Sequence, residues 1–223
     1  MNINVNGING DRYTVCTDEE LILLAKESDY KAFDILHQRY LKKILNYVNR
    51  MICDFQKSEE ITQETFLQVY RHLDSYIPRG KVSSWVFKIA SNLTKNELRS
   101  QKRKNYLGLS LYKKIVTDDQ EMELIEVIPD TSSEPDAIAQ QNELSDLLEK
   151  AIRSLPKKYR EVMLVCEVYG YSYQEASEIL SCSRANIGIR LCRARRKMKK
   201  LLMSLNGQIP YIYKIDEDVN KFQ

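Results

Sequence analysis

Arg184, Asn186, Arg190, Arg193 and Arg195 fall within twelve residues near the end of the chain. These side chains suit nucleic-acid recognition. Arginine forks onto guanine or phosphate, asparagine pairs with adenine, and each good pair discriminates between bases by ~1–3 kcal/mol. The stretch Arg184–Lys200 holds eight Lys or Arg residues and no Asp or Glu. Along one helix these charges repel one another, so the pattern calls for a polyanion to screen them. Directly before them, Tyr171–Ser183 reads as a short helix and a tight turn. Ser172 and Glu175 have capping-box spacing, and Ala176, Ile179 and Leu180 supply an apolar stripe that Ser181-Cys-Ser183 interrupts. Ile187, Leu191, Ala194, Met198, Leu201 and Leu205 resume the stripe at helical steps and leave the cations on the other face. This is the layout of a helix-turn-helix whose second helix lies in a DNA major groove. Arg196, Lys197, Lys199 and Lys200 are expected to touch phosphates or solvent.

The rest of the charge is as uneven. Net charge is +3, yet Lys88–Lys104 carries six basic groups against the single acid Glu97, and Asp118–Glu149 carries eleven acidic groups and no basic one. Two DNA-facing modules joined by an acidic connector account for that alternation. Catalysis finds no support. The two histidines, His37 and His72, lie on predicted helices away from any nucleophile or ligand pattern, and no glycine-rich phosphate loop occurs. The five cysteines, Cys16, Cys53, Cys166, Cys182 and Cys192, include no C-x-x-C pair, so reduced cytoplasmic thiols are expected and neither a metal nor a cofactor. No apolar run approaches the ~20 residues of a membrane span, and no secretion signal opens the chain.

The elements that must hold these groups are helices throughout, so the fold class is all-α. Residues 1–15 lack periodicity and read as a mobile arm. Residues 16–105 form a first helical module. In it Thr17–Glu20 is a capping box, and Tyr30 to Met51 is a long helix with Phe33, Leu36, Tyr40, Ile44, Tyr47, Val48 and Met51 inward. A third helix starts with Ser58 as its cap and ends near Leu73. Pro78 and Gly80 place a loop at 76–80. A fourth helix, capped by Ser83 or Ser84, ends near Arg103 with Trp85, Ile89, Leu93 and Leu98 inward. Residues 106–137, with Pro129 and Pro135, form a flexible acidic linker in which Met122–Ile128 pairs locally at most. Residues 138–205 form a second module: a stripe of Leu144, Leu147, Leu148, Ala151, Ile152 and Leu155, a break at Pro156, and a helix from Tyr159 that Gly170 ends before the helix-turn-helix. Residues 206–223 are a tail.

Two sets of residues resemble one family. Leu155-Pro-Lys-Lys-Tyr-Arg-Glu-Val-Met-Leu164, Tyr171-Ser-Tyr-Gln-Glu-Ala176, Glu178-Ile-Leu180 and Arg190-Leu-Cys-Arg-Ala-Arg195 resemble region 4 of extracytoplasmic-function sigma factors, of the sigma-70 family. Ala32-Phe33, Tyr40, Glu59-Glu-Ile-Thr-Gln-Glu-Thr-Phe66, Trp85 and Ile89-Ala-Ser-Asn92 resemble region 2 of the same family. The resemblance covers roughly residues 17–204, in order and at the right separation.

It implies an alternative sigma factor: a non-catalytic subunit that binds core RNA polymerase, recognises a −35 duplex and melts a −10 element of promoter DNA. It implies that Glu59, Glu60, Gln63 and Glu64 face the core polymerase while Ile61 and Phe66 stay in the core. It places Arg79, Lys81, Lys88, Asn92, Lys95 and Arg99 on the −10 DNA, with Lys102 and Arg103 as further phosphate contacts. Asn92 matches the family asparagine that contributes to the site where extruded bases are captured. Trp85, on the apolar stripe, is assigned to packing. The −35 set is Arg184, Asn186, Arg190, Cys192, Arg193 and Arg195, Arg190 having a structural ion pair as its alternative role. The linker is read as a tether that also mimics nucleic-acid charge through Asp118, Asp119, Glu121, Glu123 and Glu126. An anti-sigma factor, commonly tethered to a membrane, is implied as a further partner, and the tail with Tyr211, Tyr213 and Phe222 is expected to contact it or the chain's own modules. The chain departs from the family at Lys57, where an acid is usual, and at Gly188 and Ile189, where polar or basic residues are usual.

The alternatives are a stand-alone helix-turn-helix repressor or activator and an interaction protein that grips a partner helix. Dependence on core polymerase separates both from the sigma reading. Spacing alone leaves open whether the two modules cover each other.

Overall fold

A computed structural model describes residues 13, 15–76, 81–110 and 146–205, and every element among them is a helix. The arm at 1–12, the loop at 77–80 with Arg79, the segment 111–145 with most of the linker and Leu144, and the tail at 206–223 lie outside the described residues.

The first four helices make one layered unit. α1 (Asp18–Lys26) begins at Thr17, whose hydroxyl accepts from the Glu20 amide while the Glu20 carboxylate accepts from the Thr17 amide. α2 (Tyr30–Ile52) is capped by Asp29 and buries Leu36, Tyr40, Ile44, Tyr47, Val48 and Met51 along one face, as their spacing predicts. Phe33, from the same predicted face, is half-buried against the Tyr70 ring. α3 (Phe55–Arg71) starts earlier than expected. Its cap is Asp54, which accepts from the Lys57 amide at 3.0 Å; Ser58 is buried one turn inside and donates to the Asp54 carbonyl at 2.6 Å. A hydroxyl that finds a carbonyl four residues back no longer serves as a cap.

α4 (Val82–Ser110) departs in the same way at both ends. Ser83 and Ser84 lie within its first turn, and the Val82 amide donates instead to the Glu19 carboxylate of α1 at 3.4 Å. A carboxylate from another helix thus meets the exposed N-terminal dipole. At its far end α4 continues past Arg103 to Ser110, since Gly108 alone costs only about 1 kcal/mol in a helix and no proline stops it.

The second unit begins with α5 (146–153), which buries Ala151 and Ile152; Leu155 follows it into the core, whereas Leu148, expected inward, is 37% exposed. α6 (Lys157–Met163) runs into a π-helical turn, Leu164–Val168, not a continuous α-helix to Tyr169. The Tyr169 amide reaches back five residues to the Leu164 carbonyl at 3.0 Å. The extra residue rotates the next stretch of chain about the helix axis, and Gly170, at φ +72°, turns the chain where a side chain would be strained. α7 (Tyr173–Leu180) has the predicted Ser172–Glu175 capping box. Ser181 at φ 55° turns the chain, and Ser183 accepts from the Asn186 amide at the start of α8 (Arg184–Leu205). Ser172→Ala is expected to lower stability by about 1 kcal/mol, read as an earlier urea midpoint at unchanged slope.

The two units share a core. Phe87 stacks at ring-centroid distances of 4.9 Å on Tyr169, 5.2 Å on Tyr171 and 5.6 Å on Tyr47, and both Tyr47 and Phe87 are fully buried. The Tyr47 and Tyr171 rings meet Phe87 edge-on and Tyr169 is tilted against it, and aromatic pairs of this kind contribute ~0.5–1.5 kcal/mol each beyond area burial. Residues from α2 and α4 therefore pack against residues that come after α6. The modules do cover each other.

Candidate nucleic-acid interface

At about 100° per residue, Lys88, Asn92, Lys95 and Arg99 fall within one narrow stripe of α4. Ser84, Phe87, Ser91 and Thr94 form the adjoining buried face. Lys88, Asn92 and Arg99 are exposed. Lys95 is not free. Its ammonium lies 2.7 Å from the Glu161 carboxylate and donates to the Leu180 carbonyl at 3.0 Å, and its side chain is only 25% exposed. Glu161 is buried and also accepts from Ser91 at 3.1 Å. Burial and the nearby Glu161 carboxylate hold the Tyr47 phenol well above its ordinary range.

Lys81 is likewise engaged, 2.9 Å from Glu175. Lys81 and the Ser172 hydroxyl together hold the Glu175 carboxyl below its ordinary range. Arg50 pairs with Glu149 at 2.9 Å, and the Tyr169 hydroxyl donates to the Lys43 carbonyl at 3.0 Å. Two residues expected on DNA, Lys81 and Lys95, are thus tied to the helix-turn-helix module.

Arg160 closes the far side of this contact. It is 8% exposed and donates to the carbonyls of Arg50 (3.1 Å) and Met51 (3.3 Å) at the end of α2, and to those of Arg153 and Leu155 (3.1 Å) at the end of α5. One guanidinium fork therefore serves two helix C-termini, where partial negative charge collects. Sequence reading left Arg160 and Glu161 without a role. The five successive apolar residues Val162–Cys166 were the available signal: a helix apolar all round is enclosed, so the charges beside it are enclosed too.

On α8, Ile187, Leu191, Ala194 and Met198 are buried as predicted, and Arg184, Arg193, Arg196, Lys197, Lys199 and Lys200 are exposed. Asn186, Arg190 and Cys192 are partly exposed on its flanks. Arg195 is exposed as well, but it is engaged. Its guanidinium pairs with Glu167 of the π-turn at 2.5 Å, so the structural ion pair considered for Arg190 is made by Arg195 instead.

The polar face of α3 presents Glu59, Glu60 and Gln63 to solvent, with Glu64 half-buried, while Ile61 and Phe66 are buried. Lys57, the departure noted above, sits 2.6 Å from Glu60, and Glu64 accepts from Gln68 at 2.7 Å. Leu67 and Tyr70 lie exposed on the same helix. Trp85 is partly buried and tilts against the Tyr76 ring at 4.8 Å, in keeping with packing. Among the described residues no group of three His, Cys, Asp or Glu converges where a metal could sit. Burial pushes the Cys166 thiol up to about 11, which keeps it a neutral packing group. No helix among the described residues is long and apolar enough to cross a membrane.

Comparison with known proteins matches this layout. Residues 36–104 match the family described as sigma-70 region 2, and residues 145–198 match sigma-70 region 4. The ECF RNA polymerase sigma factor SigW of Bacillus subtilis (strain 168) is 32% identical over 188 residues, covering 81% of this chain and 94% of the relative. By fold, the chain is similar to CnrH in complex with the cytosolic domain of CnrY, with a TM-score of 0.59 at 20% identity, covering 85% of this chain and 99% of the other. It is also similar to the sigma factor RpoE in complex with the anti-sigma factor NepR from Bartonella quintana, with a TM-score of 0.54 at 23% identity, covering 77% and 97%. Two sigma regions in order, with a relative matched over nearly its whole length, assign the chain: it belongs to the extracytoplasmic-function sigma factors, alternative promoter-specificity subunits of bacterial RNA polymerase.

Proposed function

We propose that α3 docks on core polymerase through Glu59, Glu60, Gln63 and Glu64, that α4 captures the −10 strand, and that α8 reads the −35 duplex. The observation that carries this division of labour is the Lys88, Asn92, Lys95, Arg99 stripe. It is one face of one helix, with an amide between cations, suited to holding a single strand by its phosphates and one base edge. Arg184, Asn186, Arg190, Cys192 and Arg193 form the duplex-reading set, and Arg195 holds α8 on its module through Glu167. Arg79 is assigned to the −10 set by the family resemblance alone.

The packing of the two modules is, on this reading, the unengaged form. Glu161 occupies the place beside Lys95 that a phosphate takes on promoter DNA, so the modules separate when the −10 strand is gripped. The chain contributes no catalysis of its own; RNA synthesis belongs to the polymerase. It works in the cytoplasm, and the two solved neighbours bound to CnrY and NepR support an inhibitory protein partner for this chain as well.

Run-off transcription on promoter-containing genomic fragments, with core polymerase and with or without the chain, tests the reading. Transcripts with defined starts are expected only when the chain is present. Tight duplex binding by the chain alone, without transcripts, would move the assignment to a repressor or activator. Within the sigma reading, Asn92→Ala is expected to weaken binding of the single-stranded −10 element about fivefold, the net worth of one hydrogen bond. Duplex −35 affinity is expected to stay unchanged, as measured by fluorescence anisotropy on both DNAs.

A further inference from the structure

Opposite the buried face of α8, about 160–200° around the helix, stand Ala185, Ile189 and Arg196. Ala185 and Ile189 are one turn apart in the first half of the helix, both exposed, Ile189 to 54%. Around this small apolar crest the charge is of one sign: Arg184, Arg190 and Arg193 flank it, and Arg184–Lys200 contains no acid. Gly188 lies between this crest and α7: a Cβ built there would rest in ordinary contact with the Tyr173 ring, at 3.7 Å.

Neither residue serves the fold. Gly188 costs about 1 kcal/mol of helix propensity, a β-branched residue is no better than average in a helix, and an exposed isoleucine buries little. A sequence under selection for this helix alone would place alanine or lysine at both positions. The crest is suited to a surface that is polyanionic overall and carries an apolar group at its centre. The major groove has that character: phosphates line it, and thymine alone presents a methyl group within it. Recognition helices meet base edges with their N-terminal residues, where Ala185 and Ile189 stand.

Resting on the −35 reading above, we infer that Ile189 is a specificity-determining residue that packs on the 5-methyl group of a thymine in the −35 element. Arg190 and Arg193 anchor the flanking phosphates or a neighbouring guanine.

The test begins with duplexes enriched from a random library by the full-length chain bound to core polymerase. In the enriched −35 element each thymine is then replaced in turn by deoxyuracil, which removes only the methyl group. One position is expected to lose about fourfold in affinity, the effect of uncovering one buried methyl. That loss should vanish in Ile189→Ser, which no longer prefers thymine there. Thermal unfolding of the variant controls for its folding, since the side chain is exposed. Tolerance of uracil at every thymine overturns the inference, as does a penalty that persists in Ile189→Ser or reselection showing an unchanged thymine preference. Failure to enrich any duplex sequence overturns the −35 reading itself, and the inference with it.

Discussion

Replacing Arg160 with methionine is expected to lower the midpoint of thermal unfolding by about 10 °C. The guanidinium is buried and donates to four carbonyls, two at the end of α2 and two at the end of α5. Methionine fills a similar volume but satisfies none of them, and stranded buried acceptors each cost ~1–3 kcal/mol unless water reaches them. Two of the four bonds, to Arg50 and Arg153, are only part-buried, so water can replace the guanidinium there. The net loss is about 3–4 kcal/mol, and at ~2–4 °C per kcal/mol for a chain of this size the midpoint falls by about 10 °C. Arg160→Lys should lose roughly half as much, because a single ammonium cannot span both helix ends. Differential scanning calorimetry decides the matter. A shift under 3 °C for the methionine variant would mean that the helix ends are held by packing alone.

The second large effect has the opposite sign: on the proposed −10 role, Glu161→Ala is expected to tighten binding of the single-stranded −10 element by the isolated chain by about tenfold. Lys95 lies 2.7 Å from Glu161, and Ser91 donates to the same carboxylate. Removing one member of a fully buried ion pair costs ~3–5 kcal/mol. Lys95 is a quarter exposed and keeps its bond to the Leu180 carbonyl, so screening reduces that to roughly 1–2 kcal/mol. That weakens the contact between modules and leaves the modules themselves intact. An affinity limited by the fraction of open molecules rises in step with that fraction. Small-angle scattering should show the variant more extended, and Lys95→Ala in the same background should abolish the gain. A variant as compact as the parent, with unchanged affinity, would mean that the aromatic cluster alone keeps the modules together.

Much of this was legible in the sequence, and what was missed shares a cause. The Ser172–Glu175 box and the Ile187, Leu191, Ala194, Met198 face appear where their spacing puts them, because both depend on residues three or four apart. Helix starts were missed where the cap came from elsewhere. Glu19 of α1 takes the place of Ser83 or Ser84 at α4, and Asp54 displaces Ser58 at α3. The exposed basic stripes were readable, but the present partners of their members were not. Nothing near Lys95 in sequence announces Glu161, and nothing near Arg195 announces Glu167. Those pairings exist only once α6 and its π-turn are laid against α4 and α8.

The shared aromatic cluster has a consequence for the order in which the chain is made. Tyr47 and Phe87 belong to the module synthesised first, whereas Tyr169 and Tyr171, which cover them, emerge roughly eighty residues later, a delay of ~4–16 s at ribosomal speed. During that interval the nascent first module presents a bare aromatic face, with Lys95 not yet claimed by Glu161. A newborn chain therefore has an uncovered first module before it can close the second over it, and whatever meets it at the ribosome meets that open state.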